Sequence, residues 1–121
     1  MSQKELGLAV IGSGRIGSLR AILASGHPAV KYLGVSDINI ENAKKLAAKS
    51  NAQKFTDDNH ELISDPNVNV VIVSTSEHEH FDSVMHALEL GKPVLVEKPI
   101  ALSVDEANKM IKKSEETGTL F

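Results

Sequence analysis

The 121-residue chain contains no cysteine and no tryptophan, and only one tyrosine and three phenylalanines. Without thiols there is no disulfide framework, no thiolate zinc site, no iron–sulfur ligation and no cysteine nucleophile, and the composition suits a reducing compartment. Charge of neither sign dominates: 13 Lys and Arg stand against 16 Asp and Glu, for a formal net charge of −3. The charges are interspersed rather than gathered into a basic stripe, and so few rings supply no stacking platform, so no nucleic-acid partner is expected. No apolar run approaches the roughly 20 residues of a membrane span. The opening Met1-Ser2-Gln3-Lys4-Glu5 is too short and polar to begin a signal peptide, so a cytoplasmic protein without membrane association is expected. A G-x-S-x-G nucleophile elbow is also missing.

With 41% hydrophobic and 24% charged residues, the chain has the make-up of a single soluble domain. At this length a compact fold buries roughly two-thirds of the surface of the unfolded chain. Short apolar runs alternate with helical spacing, and Gly, Asn, Asp and Pro stand at the joins. Strands are predicted at 6–11, 30–36, 53–56, 68–75 and 94–97. A helix is predicted over 15–25, before Gly26-His27-Pro28, and another after Asn39, with Ala43, Leu46 and Ala47 on its apolar side. Asp58 and Glu61 have capping-box spacing for a brief helix through Ile63. A helix over 79–90 carries Phe81, Val84 or Met85, and Leu88, and stops at Gly91. A last one opens on the Ser103/Glu106 box, with Val104, Ala107 and Ile111 as its stripe.

This alternation specifies an α/β, doubly wound parallel sheet in three layers, α/β/α, with strand order 3-2-1-4-5. Ligands of such sheets sit beyond the carboxyl ends of the strands where the winding reverses, between strands one and four. The turn there reads Gly12-Ser13-Gly14-Arg15-Ile16-Gly17, and Asp37 ends strand two 20 residues beyond Gly17. That is the dinucleotide fingerprint in its required context. Gly12 permits the tight turn, Gly14 lets a pyrophosphate approach the backbone, and Gly17 lets the helix lie on the sheet, with Arg15 and Ile16 in the same loop. Asp37 would accept from the adenosine ribose hydroxyls. Its carboxylate repels a 2′-phosphate, and Ile38-Asn39 offers no Arg to receive one, so NAD is preferred over NADP. Ser74, Thr75 and Ser76 end strand four across the cleft. His78 and His80, beside Glu77, Glu79 and Asp82, invite a zinc reading. Successive side chains there diverge and the other histidines are scattered, so no metal is expected.

These motifs resemble the N-terminal domain of the Gfo/Idh/MocA oxidoreductases: the glycine turn, Ser36-Asp37, the Val-Ile-Val-Ser-Thr strand, the following His, and above all Gly91-Lys92-Pro93-Val94-Leu95-Val96-Glu97-Lys98-Pro99. The resemblance spans essentially the whole chain. It implies a Rossmann domain of an NAD(P)-dependent dehydrogenase acting on sugars, inositols or related polyols, with Lys98, after Glu97, beside the nicotinamide and the reacting carbon. A cation at that strand end also suits stabilisation of a developing alkoxide. The resemblance further implies that His80 lies on the cofactor side. Thr75-Ser76-Glu77 departs from the family's Thr-Pro-Asn, and Arg20 stands where a His is frequent. Residues 1–121 read as the NAD(P)-binding domain alone, with a substrate domain, which carries a later Asp and His in the family, absent from this chain. A sixth apolar run is only begun at Thr119-Leu120-Phe121, and the open sheet edge leads us to expect a homo-oligomer. The alternatives are a dinucleotide-binding or sensing module without catalysis, and an α/β scaffold that binds no nucleotide.

Overall fold

The computed structural model describes residues 5–12, 21, 26–74, 77–96 and 104–119, with 77–80 as backbone alone. Five strands, β1 (Leu6–Ile11), β2 (Val30–Ser36), β3 (Lys54–Thr56), β4 (Val70–Val73) and β5 (Val94–Val96), form one parallel sheet in the order β3-β2-β1-β4-β5. The described helices are α1 (Ile40–Ser50), α2 (Asn59–Ile63), α3 (Glu77–Glu89) and α4 (Val104–Thr117). Of the helix predicted over 15–25, Ala21 is described, and it is helical and fully buried.

Alternation along the strands splits the core between the two faces of the sheet. Ala9, Ile11, Val71, Val73 and Val94 face Leu62, Ile63, Val84, Ala87, Leu88 and Met110, whereas Leu8, Val10, Leu33 and Val35 face Ala21, Leu46 and Ala47. The sheet is therefore covered on both sides, as the doubly wound reading requires.

The caps form where the sequence places them. Asn39 Oδ1 accepts from Glu41 N–H at 3.0 Å to open α1, and Asp58 Oδ1 accepts from Glu61 N–H at 3.1 Å to open α2. Glu61 does not complete the reciprocal half of its box. Its carboxylate accepts from Thr56 Oγ1 at 3.2 Å and pairs with Lys54 at 2.9 Å, while Asp58 N–H donates to Thr56 Oγ1. Gly91 stops α3 with φ +71°, its N–H donating to Leu88 O and that of Lys92 to Ala87 O.

Three sequence expectations need correction. β4 is shorter than 68–75 at its start, because Val68 N–H turns back to Asp65 O, and pairing begins with Asn69 N–H on Gly7 O. The helix after it starts two residues earlier than 79. The stripe read on α4 is wrong at two of its three positions: Val104 is 77% and Ile111 49% exposed, and Met110 is the residue sealed into the core. The inward face runs through the buried Met110 and the half-buried Glu106, Ala107, Lys113 and Ser114, where long side chains can cover apolar surface with their stems while their charged ends stay wet.

A polar network ties the amino-terminal rim of the sheet together. Tyr32 Oη donates to Asp65 Oδ2 at 2.7 Å, Lys54 Nζ lies 3.6 Å from the same oxygen, and Asn67 N–H donates to Asp65 Oδ1 at 2.8 Å. Lys92 Nζ donates to the carbonyls of Ile63 and Asp65, capping the end of α2, and burial pushes its ammonium below its ordinary pKa. Burial alone would raise the Asp65 carboxyl, but the Asn67 N–H, the Tyr32 hydroxyl and Lys54 outweigh it and hold it below its ordinary 3.8. A depressed carboxyl contributes stability above its ordinary value and loses it as pH falls through the lowered one. The thermal midpoint should therefore fall as pH drops below about 4. Circular dichroism melts should show a shallower fall for Asp65→Asn, and an equally steep one would remove Asp65 from the account.

Candidate functional site

Three strand ends meet at the carboxyl rim. Ile11 lies opposite Ser36 on one side and Val73 on the other, so the residues that follow, Gly12, Asp37 and Ser74, stand side by side. Gly12 N–H donates to Ser36 O at 2.8 Å, and Ser74 N–H donates to Ile11 O at 2.7 Å. Gly12 has φ +97°, a conformation that a side chain disfavours, which is why the turn begins with glycine.

Asp37 is positioned from two directions. Its N–H donates to Thr56 O at 3.2 Å, and its Oδ1 accepts from Asn39 N–H at 2.8 Å in an Asx turn. Ile38, immediately beyond, is 71% exposed. Ser36, fully buried, donates from its hydroxyl to Asn59 Oδ1 at 2.7 Å. Across the cleft, Ser74 Oγ is buried with no hydrogen-bond partner, the only such side-chain atom among the described residues. A buried hydroxyl left unpaired costs about 1–3 kcal/mol. An orphan of this kind on the rim, beside a positive-φ glycine and a carboxylate, fits a polar ligand laid across the strand ends.

Of the residues singled out from the sequence, the fold brings Gly12, Asp37 and Ser74 together. His80 falls in the first turn of α3. Gly14, Arg15, Ile16, Gly17, Thr75, Ser76, Glu97 and Lys98 lie outside the described residues. Ser36 and Asn59 escape sequence reasoning as site residues, since only folding places a strand-end serine against the start of α2.

Of the three histidines read as scattered, His27, His60 and His86, the last two meet. His60 and His86 stack with ring centroids 4.2 Å apart and planes 14° from parallel. His60 Nε2 lies 2.5 Å from Asp82 Oδ2, and His86 Nε2 lies 2.9 Å from Ser64 Oγ. Among the described residues no group of three or more His, Asp or Glu is placed to hold a metal ion, and no helix is long and apolar enough to cross a membrane.

A parallel 3-2-1-4-5 sheet with a glycine turn after β1 and a carboxylate at the end of β2 defines a dinucleotide-binding Rossmann domain. Residues 6–121 match the Gfo/Idh/MocA pattern, described as an oxidoreductase family with an NAD-binding Rossmann fold, and the chain belongs to that family. It is 33% identical over 119 residues to the scyllo-inositol 2-dehydrogenase (NAD(+)) of Bacillus subtilis (strain 168), covering 98% of this chain and 35% of that protein. The crystal structure of a probable dehydrogenase from Thermotoga maritima superposes with a TM-score of 0.88 at 33% identity, over 96% of this chain and 35% of that one. That of GenD2 from gentamicin A biosynthesis in complex with NAD gives 0.89 at 29% identity, over 98% and 34%. The chain thus spans about a third of the length of the relatives it matches.

Proposed function

We propose that this chain is the nucleotide-binding part of an NAD-dependent dehydrogenase acting on a sugar, inositol or related polyol. The observation that carries the cofactor assignment is the row of Gly12, Asp37 and the unpartnered Ser74 Oγ along one rim. In this reading the segment from Gly12 through Gly14, Arg15 and Ile16 to Gly17 cradles the pyrophosphate, and Asp37 accepts from the adenosine ribose hydroxyls. Ser74, Thr75, Ser76 and His80 line the opposite wall, and Ser74 Oγ gains the partner it lacks. Glu97 and Lys98 follow β5 by one and two residues, and the Lys98 ammonium holds the substrate hydroxyl and steadies negative charge on its oxygen. When bound, the nicotinamide supplies the hydride acceptor.

The substrate class rests on similarity to the inositol dehydrogenase, whose remaining two-thirds has no counterpart among these 121 residues. The described rim holds cofactor-side residues, which also fits a second reading, a dinucleotide-binding module without catalysis of its own. The cysteine-free composition and the interspersed charge support a cytoplasmic location and no nucleic-acid partner in this reading. Self-association at β5, an edge strand among the described residues with Leu95 50% exposed, is proposed on the hazard of open edges.

Calorimetric titration with NADH is expected to saturate below about 1 mM, with NADPH about tenfold weaker because its 2′-phosphate meets the Asp37 carboxylate. No heat with either cofactor would overturn the assignment. Polyol oxidation by the chain itself decides between the two readings, since robust turnover excludes the module.

A further inference from the structure

We propose that Asn59 is a positioning residue for the cofactor site, latching the end of β2 through the buried Ser36 hydroxyl so that Gly12 and the Asp37 carboxylate keep one geometry. This rests on the NAD reading above. Ser36 is the joint between the two cofactor elements. Its carbonyl accepts from Gly12 N–H at 2.8 Å, its hydroxyl donates to Asn59 Oδ1 at 2.7 Å, and the next residue in the chain is Asp37. The second anchor of Asp37, Thr56 O, belongs to the same region, where Thr56 Oγ1 accepts from Asp58 N–H and donates to Glu61. These two ties on the end of β2 therefore lead to the chain around α2.

A latch works only if its post is fixed, and a five-residue helix does not hold itself. α2 is held from outside on every side. Asp58 caps its start and Lys92 caps the Ile63 carbonyl at its end. Glu61 pairs with Lys54 on β3, and His60 stacks on His86 and meets Asp82 of α3. Underneath, Leu62 fills the space over Gly34 of β2, where a Cβ would lie 2.4 Å from Leu62 Cδ1. So much restraint on so short a helix exceeds what covering the sheet requires, and it makes Asn59 a fixed point. Losing the Asn59 oxygen removes this bond from the buried Ser36 hydroxyl at the end of β2. The affected quantity is the aim of the carboxylate, which NADH uses and NADPH opposes.

The test is to measure NADH and NADPH affinities and thermal midpoints for the unaltered chain, Asn59→Leu, Asn59→Asp and Ser36→Ala. Asn59→Leu should weaken NADH by about fivefold, the factor for one hydrogen bond, with NADPH changed less than about twofold, so that discrimination shrinks. Ser36→Ala should do the same, and the double variant should add little, as expected of partners in one bond. Asn59→Asp keeps an acceptor in the same shape and should preserve discrimination. Equal losses for both cofactors alongside a lower midpoint would make Asn59 merely structural and overturn the latch, as would an unchanged NADH to NADPH ratio in Asn59→Leu. Absence of NADH binding by the unaltered chain would instead overturn the cofactor assignment, and the latch with it. If Asn59→Leu does not fold, Ser36→Ala against Asn59→Asp decides the same question.

Discussion

Gly7→Ala is expected to destabilise the chain by about 3 kcal/mol or more, a large part of the 5–15 kcal/mol typical of a domain. A Cβ at Gly7 would lie 1.7 Å from the Asn67 carbonyl oxygen and 2.9 Å from its carbon, so backbone rather than a movable side chain blocks it. Neither side can retreat. Gly7 N–H donates to Asn69 Oδ1 at 3.0 Å, Asn69 N–H donates to Gly7 O at 2.8 Å, and Asn69 Nδ2 reaches Glu5 O at 2.9 Å. The opposing loop is pinned by Asn67 N–H on Asp65 Oδ1 and Val68 N–H on Asp65 O. Moving either means breaking these bonds next to β1, which has neighbours on both sides in the sheet. Gly118→Ala is the control: φ is +64° but nothing lies within 4 Å of the added carbon, so about 1–2 kcal/mol of backbone strain is expected. Denaturant unfolding of both variants checks the pair, and a Gly7→Ala loss no larger than that of Gly118→Ala would refute the steric account.

The contrast between these glycines shows how far the sequence can be read. The caps at Asn39 and Asp58 depend on residues a few positions apart and the strand order on the alternation of strands and helices, and both are found as expected. The demand at Gly7 comes from Asn67, and that at Gly34 from Leu62. Neither partner is local, so neither glycine differs in the sequence from one in an ordinary loop. Lys92 is visible only as part of a motif, and its bonds to the Ile63 and Asp65 carbonyls exist once β5 lies beside β4. On α4, the sequence offers Val104 and Ile111 as apolar anchors, yet the neighbouring α3 and the sheet select Met110. Pattern alone cannot choose between two weak stripes when the packing partner decides.

The site divides in the same way. Gly12 and Asp37 announce themselves because the chemistry of a dinucleotide requires those residue types at that spacing. Ser74 is visible only as a strand end, and what marks it structurally, a buried hydroxyl with no partner, depends on everything packed around it. The stacked His60 and His86 lie 26 residues apart in sequence and meet because α2 and α3 cover the same face of the sheet.

Asp37→Ala should weaken NADH binding by about 10- to 100-fold while leaving the fold nearly intact. A carboxylate accepting from ribose hydroxyls makes charge-assisted bonds, each worth about 1.5–3 kcal/mol, and alanine replaces none of them. Asp37 is a half-buried rim residue whose Oδ1 closes the Asx turn to Asn39 N–H. Asn39 retains its own cap on Glu41 N–H, and loss of the Asx-turn bond itself costs about 1 kcal/mol. NADPH should respond in the opposite sense, since removing the carboxylate removes the repulsion its 2′-phosphate meets. The ratio of the two affinities is therefore the sensitive observable, and parallel fluorescence titrations with NADH and NADPH at one ionic strength measure it. Unchanged NADH affinity in a folded Asp37→Ala chain would remove Asp37 from the ribose site. Equal weakening of both cofactors would mean that Asp37 shapes the turn without selecting between them.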